Sequence, residues 1–157
     1  KKEFNHEKIK EAIRTILTEL GDDPDREGLK DTPDALRVCM TKFLRVCDTP
    51  MTKSLKCLTS CFEVDSNDLV IVKDIEVFSH CEHHLALMYN MHCHVGYIPN
   101  GKVIGLSKIA AYAIWFQKRL QLQERICSDI AEVIQKVCDT EDVIVVVEGE
   151  HSCMTAR

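Results

Sequence analysis

No stretch of this chain stays apolar long enough to cross a membrane, which takes about 20 consecutive apolar residues in a helix. A secretion signal is also missing. Lys1, Lys2 and Glu3 lead into an amphipathic segment instead of an apolar run. Positive charge is in deficit, with 20 Lys and Arg against 25 Asp and Glu and a formal net charge of −5. That balance argues against nucleic acid or an anionic membrane as the main partner. It leaves room for a local basic pocket that takes a small anion, because net charge describes no single cleft. Internal repeats and low-complexity segments are absent too. What remains, with 45% hydrophobic and 29% charged residues over 157 positions, has the composition of an ordinary soluble domain. The length suits one domain and is short for two.

Cysteine runs the other way: there are nine, an odd number. Scattered thiols without a secretion signal predict a reduced, intracellular protein, located in the cytoplasm. Cys39, Cys47, Cys127 and Cys138 fall on predicted helices and read as small core or surface residues. Only the cysteines next to histidines invite a chemical reading.

The segment from Asn5 to Leu20 carries Ile9, Ala12, Ile13, Ile16, Leu17 and Leu20 at helical spacing, with Asn5 to cap its start and Gly21 its end. Thr32-Pro33 reads as an N-cap followed by proline at the first helical position, opening a second helix to about Val46. The run from Pro50 to Asp68 predicts a loop with a short strand. Leu69 to Val72, with Ile75 and Val77, is β-branched and strand-like, and a second strand runs from about Met91 to Ile98. Pro99-Asn100-Gly101 marks a turn before a short return strand at Val103-Ile104. Ser107 opens a helical stretch, Ile109 to Lys118. A further helix covers Gln121 to Val137, and Val143 to Val147 is a closing strand. This order predicts an α+β fold, an antiparallel sheet with helices packed on one face.

The chemistry concentrates in two places. Cys81 and His84 stand three apart just past the first long strand, a spacing that lets a thiolate and an imidazole converge on one ion from a tight turn. Far downstream, His151 and Cys153 lie two apart past the last strand and would point the same way in extended chain. The two pairs can meet if their strands are neighbours. Three protein ligands with a fourth position for water is the pattern of catalytic zinc, whereas four closed ligands mark a structural site. The candidates are Cys81, His84, Cys153 and either His83 or His151, and residue chemistry alone leaves the choice open. A rival grouping, His92-Cys93-His94, reads better as alternating polar and apolar positions of a half-exposed strand.

These residues resemble the GTP cyclohydrolase I family. Cys81-Glu82-His83-His84 is similar to its zinc-loop motif and Gly105-Leu106-Ser107-Lys108 to its substrate-binding segment. Arg119 to Arg125 (Arg-Leu-Gln-Leu-Gln-Glu-Arg) is similar to its guanine-recognition segment, and His151-Ser152-Cys153 to its second metal segment. The four motifs follow the family's order across about Asp22 to Arg157. Singly, Gln123-Glu124-Arg125 would be a solvated helix start and Lys108 a surface lysine; their joint occurrence makes the match specific.

The resemblance implies hydrolysis of GTP at C8, releasing formate and forming 7,8-dihydroneopterin triphosphate for folate or tetrahydrobiopterin synthesis. It implies Zn2+ held by Cys81, His84 and Cys153, with His83 transferring protons and His151 assisting at the same ring. Gln123 and Glu124 would read the guanine edge, and Leu106, Ser107, Lys108 and Arg157 would meet the ribose-triphosphate end. The implied fold is the tunnelling fold, in which sheets of several subunits close a barrel. The implied assembly is a homodecamer with active sites between subunits. On this reading residues 1–50 form an N-terminal helical segment and 51–157 the catalytic unit.

The sequence also departs from the family. Ala35 and Ala111 stand where the family places arginines that reach triphosphate. Losing two charge-assisted contacts, each contributing about 1.5–3 kcal/mol, raises the alternative of a degenerate relative that keeps zinc and guanine or pterin binding with weak or altered activity. The stretch from Leu85 to Met91 lacks the family's Pro and Gly and is one residue longer, and the family continues some tens of residues past the position of Arg157.

Overall fold

The computed structural model describes residues 4–44 and 60–156. The chain divides into two compact units, Lys1–Asp48 and Thr49–Arg157.

In the first unit, α1 spans His6–Glu19 and α2 spans Thr32–Phe43. Asn5 caps α1 as its residue type predicts, its side-chain oxygen accepting from the Lys8 amide at 3.0 Å. At the other end Gly21 takes φ +85°, and the amides of Gly21 and Asp22 reach back to the carbonyls of Thr18 and Leu17. That is a Schellman ending, which a residue with a Cβ adopts only under strain. α2 differs from expectation by one position. Asp31 is its cap residue, Thr32 is already helical, and no side chain caps the start. Pro33 is tolerated there because the amides of the first turn have no intrahelical acceptor. α2 ends at Phe43; Arg45 and Val46, where the helix was expected to run on, lie outside the described residues, as does most of the loop expected from Pro50.

The second unit holds a short ribbon and a four-stranded sheet. The ribbon pairs β1, Cys61–Glu63, with β4, Lys102–Ile104. The sheet comprises β2, Val70–Cys81; β3, Leu87–Tyr97; β5, Leu120–Gln121; and β6, Val143–His151. Its order is β5-β2-β3-β6. β5 runs parallel to β2, so the sheet is mixed and the purely antiparallel expectation is corrected. The reason lies in Gln121. Expected to begin a helix, it is fully buried, pairs with Cys81, and accepts the Glu82 amide at 3.1 Å. The helix therefore starts two residues later, and α4 covers Gln123–Cys138. α3 covers Leu106–Phe116.

α3 and α4 bury one face against the sheet. Inward positions of β3 at period two (Met91, Cys93, Val95) meet Ile109, Tyr112 and Phe116 of α3 and Ile126 and Ile130 of α4. Each fully buried isoleucine contributes about 1.5–3 kcal/mol of apolar burial. β2 and β3 are both longer toward the Cys81 turn than their apolar runs suggest. Ser79 continues β2 into the core because its hydroxyl donates to the Gln117 carbonyl at 3.0 Å, a partner invisible in a hydropathy pattern.

Two left-handed residues mark bulges. Asp74 (φ +58°) interrupts the β2 register, and Asn90 (φ +47°) interrupts β3 against both neighbours. The bulge at Asn90 gives β3 one residue more than either neighbouring strand over this stretch. Asn90 is held by its side-chain amide, which donates to Glu150 at 2.8 Å. Opposite the bulge, Gly149 lets the strands close up: a Cβ there would stand 2.5 Å from Met91 Cγ and 3.2 Å from Met91 Cα. Gly149→Ala is expected to destabilise the fold by about 1–3 kcal/mol through this clash, seen as a lower midpoint in chemical denaturation; an unchanged midpoint would show that the bulge gives way freely.

Candidate metal centre and active site

The turn between β2 and β3 is built on one residue. Both backbone groups of Cys81 are engaged across it, its amide with the Ala86 carbonyl at 2.8 Å and its carbonyl with the Leu85 amide at 2.9 Å. Leu85 closes the loop at φ +53°, a conformation that a leucine keeps only when its neighbours dictate it. Held this way, His83 and His84 each bring Nδ1 to 3.7 Å from the Cys81 sulfur.

The second segment arrives from β6. Its strand is not the neighbour of β2, because β3 lies between them. The two segments meet instead across the first residues of β3, where Met88 pairs with His151 and the Ser152 hydroxyl donates to the Leu87 carbonyl at 2.7 Å. After His151 the chain does not stay extended as expected. It turns into the short helix α5, Ser152–Thr155, which carries Cys153.

Cys81, His84 and Cys153 then present ligand atoms that all lie within 4.8 Å of one another, and they form the one such group among the described residues. A tetrahedral zinc with sulfur at about 2.3 Å and nitrogen at about 2.0 Å sets ligand atoms about 3.5–3.8 Å apart. The 3.7 Å contact of His84 with Cys81 matches that edge, so the donor set fits zinc. His83 shares the contact with Cys81 but stands outside the trio, as does His151, the other histidine that the sequence offered as a ligand. The rival grouping does not assemble: Cys93 is fully buried in the core, where burial pushes its thiol up to about 12 and keeps it protonated. Cys138, likewise buried, is pushed up to about 11. His94 is engaged elsewhere, accepting the Asp74 amide and facing Glu148.

Around the trio runs a polar network. Gln123, the first residue of α4, donates from Nε2 to the Val147 carbonyl at 2.7 Å. Since a carbonyl only accepts, Gln123 Oε1 must be the atom facing His151 Nε2 at 2.7 Å, and His151 carries its proton on Nε2. Nδ1 is then the acceptor nitrogen of the ring. Glu82, between Cys81 and His83, takes both ends of the Arg125 guanidinium at 2.7 and 3.1 Å. That bond holds the Glu82 carboxyl below the usual carboxylate range.

The sequence profile described as GTP cyclohydrolase I matches residues 9–157. A GTP cyclohydrolase 1 of Clostridium botulinum (strain Loch Maree / Type A3) is 52% identical over 155 residues, covering 95% of this chain and 79% of the relative. One of Ruminiclostridium cellulolyticum is 48% identical over 160 residues, covering 98% and 82%. The chain belongs to the GTP cyclohydrolase I family. A third relative, the GTP cyclohydrolase 1 of Clostridium acetobutylicum, is 49% identical over 154 residues, covering 95% of this chain and 79% of its own length.

The other residues that GTP cyclohydrolase I motifs single out are not all gathered in one place. Glu124 is exposed in the first turn of α4, beside Gln123, whose side chain faces His151. Leu106, Ser107 and Lys108 form the first turn of α3. The far end of that helix adjoins β2 near the metal turn, with Gln117 accepting the Phe78 amide at 2.8 Å. Eleven residues of helix, about 16 Å, therefore separate the start of α3 from that end. Ala35 is exposed on α2, in the first unit, and Ala111 is half-buried on α3. Arg157 lies outside the described residues.

The Glu82–Arg125 pair and the Ser152 anchor leave no signal of their own in the sequence, although all three residues lie inside the Cys/His segments and the Arg119–Arg125 segment. Replacing Cys81 or Cys153 by serine is expected to lower zinc affinity by more than the roughly 10–100-fold that loss of an outer partner costs, while Cys39→Ser, at an exposed position, leaves it unchanged. Zinc content after dialysis reads this directly; equal content in all three variants would rule the trio out.

Proposed function

We propose that the protein is a zinc-dependent GTP cyclohydrolase I that hydrolyses GTP at C8, releases formate and forms 7,8-dihydroneopterin triphosphate. The observation that carries the reading is the trio Cys81, His84 and Cys153, three donors rather than a closed four. Bound there, zinc would supply a Lewis acid that brings the pKa of a water toward neutrality.

The chain's own residues do the rest. His83, next to the trio but outside it, moves protons at the reacting ring, a task suited to an imidazole near neutral pH. His151, its Nε2–H committed to Gln123, offers Nδ1 as a fixed acceptor on the same side. Glu124 accepts from the adjacent N–H donors of the guanine edge, which would be costly to leave unpaired in a desolvated site. Gln123 closes that edge while orienting His151. Leu106 packs at the ribose end, and Ser107, Lys108 and Arg157 take the triphosphate oxygens.

The separation of Leu106–Lys108 from the metal turn supports a site shared between copies, in which one subunit supplies the start of α3 and another the metal. Sheet edges point the same way. β5 pairs with β2 only at His80 and Cys81, and β6 pairs with β3 on one side. Pairing such edges between subunits would close a barrel of the tunnelling fold and remove them, and a homodecamer is the assembly we assign. Two thiolate ligands fit the reducing cytoplasm.

A second reading, a degenerate relative with weak or altered activity, draws on Ala35 and Ala111. The two separate in one assay. Purified protein given GTP is expected to release formate and to form a pterin that fluoresces after oxidation; neither product at high GTP would favour the degenerate reading. His83→Ala is expected to keep its zinc and lose turnover by about 10²–10⁴-fold, so zinc loss in that variant would overturn the assigned role. Glu124→Ala is expected to keep zinc and to erase most of the preference for GTP over ITP, which lacks the exocyclic amine; an unchanged preference would refute Glu124 as the guanine reader.

A further inference from the structure

Glu82 is tied twice to the same distant segment. Its main-chain amide donates to the Gln121 carbonyl at 3.1 Å, and its carboxylate receives both ends of the Arg125 fork at 2.7 and 3.1 Å. On one side of Glu82 stands the ligand Cys81 and on the other His83. Arg125 directly follows Gln123 and Glu124 at the start of α4. Asp129, one turn further along α4, is taken by Arg119, so Arg125 is committed to Glu82. A planar fork on a carboxylate fixes angle as well as distance, which a single contact does not.

We propose that Arg125 is a positioning residue, whose two-pronged hold on Glu82 locks the metal turn to the base-reading start of α4 at one separation. The side chains are 40% and 32% exposed, so the pair adds little to global stability and its effect is local. The turn has need of such a hold. It closes through the left-handed Leu85, and two of its members, His83 and His84, are exposed. Without the fork, the main-chain bond to Gln121 would be the remaining tie from Glu82 to that segment, and the Glu82–His84 side of the turn would be less closely fixed to α4. His84 would then leave the geometry that completes the trio, and His83 would lose its place relative to Glu124. The activity part of this inference rests on the hydrolase reading; the metal part does not.

The test uses the full chain with Co2+ as the probe, titrated by its thiolate-to-metal absorption, alongside GTP turnover. Arg125→Gln and Glu82→Gln are each expected to weaken Co2+ binding by about 10–100-fold and to lower kcat similarly, with KM for GTP held within about threefold. The double variant should be no worse than the poorer single, because both remove one interaction. Exchanging the charges, Glu82→Arg with Arg125→Glu, should recover most of the loss. Arg125→Lys, which keeps the charge and folds as the mildest change, should fall between wild type and Arg125→Gln. Co2+ affinity within about twofold of wild type in every variant would overturn the proposal, as would losses that multiply in the double variant. A raised KM with kcat intact would overturn it too, by making Arg125 a substrate contact. A wild-type protein that makes no formate removes the hydrolase reading and leaves the cobalt titration to decide the clamp.

Discussion

Two cysteine sulfurs and an imidazole nitrogen brought within 4.8 Å of one another set the terms for everything around them. Three protein donors can share one divalent cation only where their atoms already converge, and a cation there would favour the thiolate forms of both cysteines. The fold must therefore hold three donors from two distant segments near one point before any ion arrives. β3 makes this possible by standing between β2 and β6. Its first residues serve as the common floor, pairing with His80 on one side and His151 on the other. The Ser152 hydroxyl on Leu87 then fixes where α5 begins, and with it Cys153.

From that point the polar contacts fan outward in a fixed order. Gln123 ties His151 to Val147, and Glu82 ties the metal turn to Arg125. Both links end on the first turn of α4, where Glu124 sits. The candidate metal trio, the flanking histidines His83 and His151, and Glu124 are thus referred to one helix start. Leu106–Lys108 are not. They open α3 at the end opposite the one that adjoins β2 near the Cys81 turn.

Much of this was legible in the residues. The stripe of α1, the Thr32-Pro33 start of α2, the strands on β-branched runs and the two Cys/His segments could be read from periodicity and spacing, and the resemblance of four motifs pointed to the family. What escaped was governed by contacts that a one-dimensional pattern does not carry. Gln121 looked helical but is a strand residue, because its backbone is captured by Cys81 and Glu82. Thr32 looked like a cap but lies one residue inside α2. The apolar run of β2 stops at Val77, yet Ser79, its hydroxyl bonded to Gln117, carries the strand on to Cys81. Whether His83 or His151 joins Cys81, His84 and Cys153 was beyond residue chemistry for a different reason: His83 reaches Cys81 as closely as His84 does, and only the position of Cys153 sets the trio apart.

X-ray absorption at the zinc K edge of the intact, zinc-loaded protein tests the coordination most directly. The account predicts two sulfur neighbours at about 2.3 Å, one imidazole nitrogen at about 2.0 Å and a single light oxygen neighbour from solvent. A shell with fewer than two sulfurs, or with a fourth side-chain donor in place of the oxygen, would contradict it.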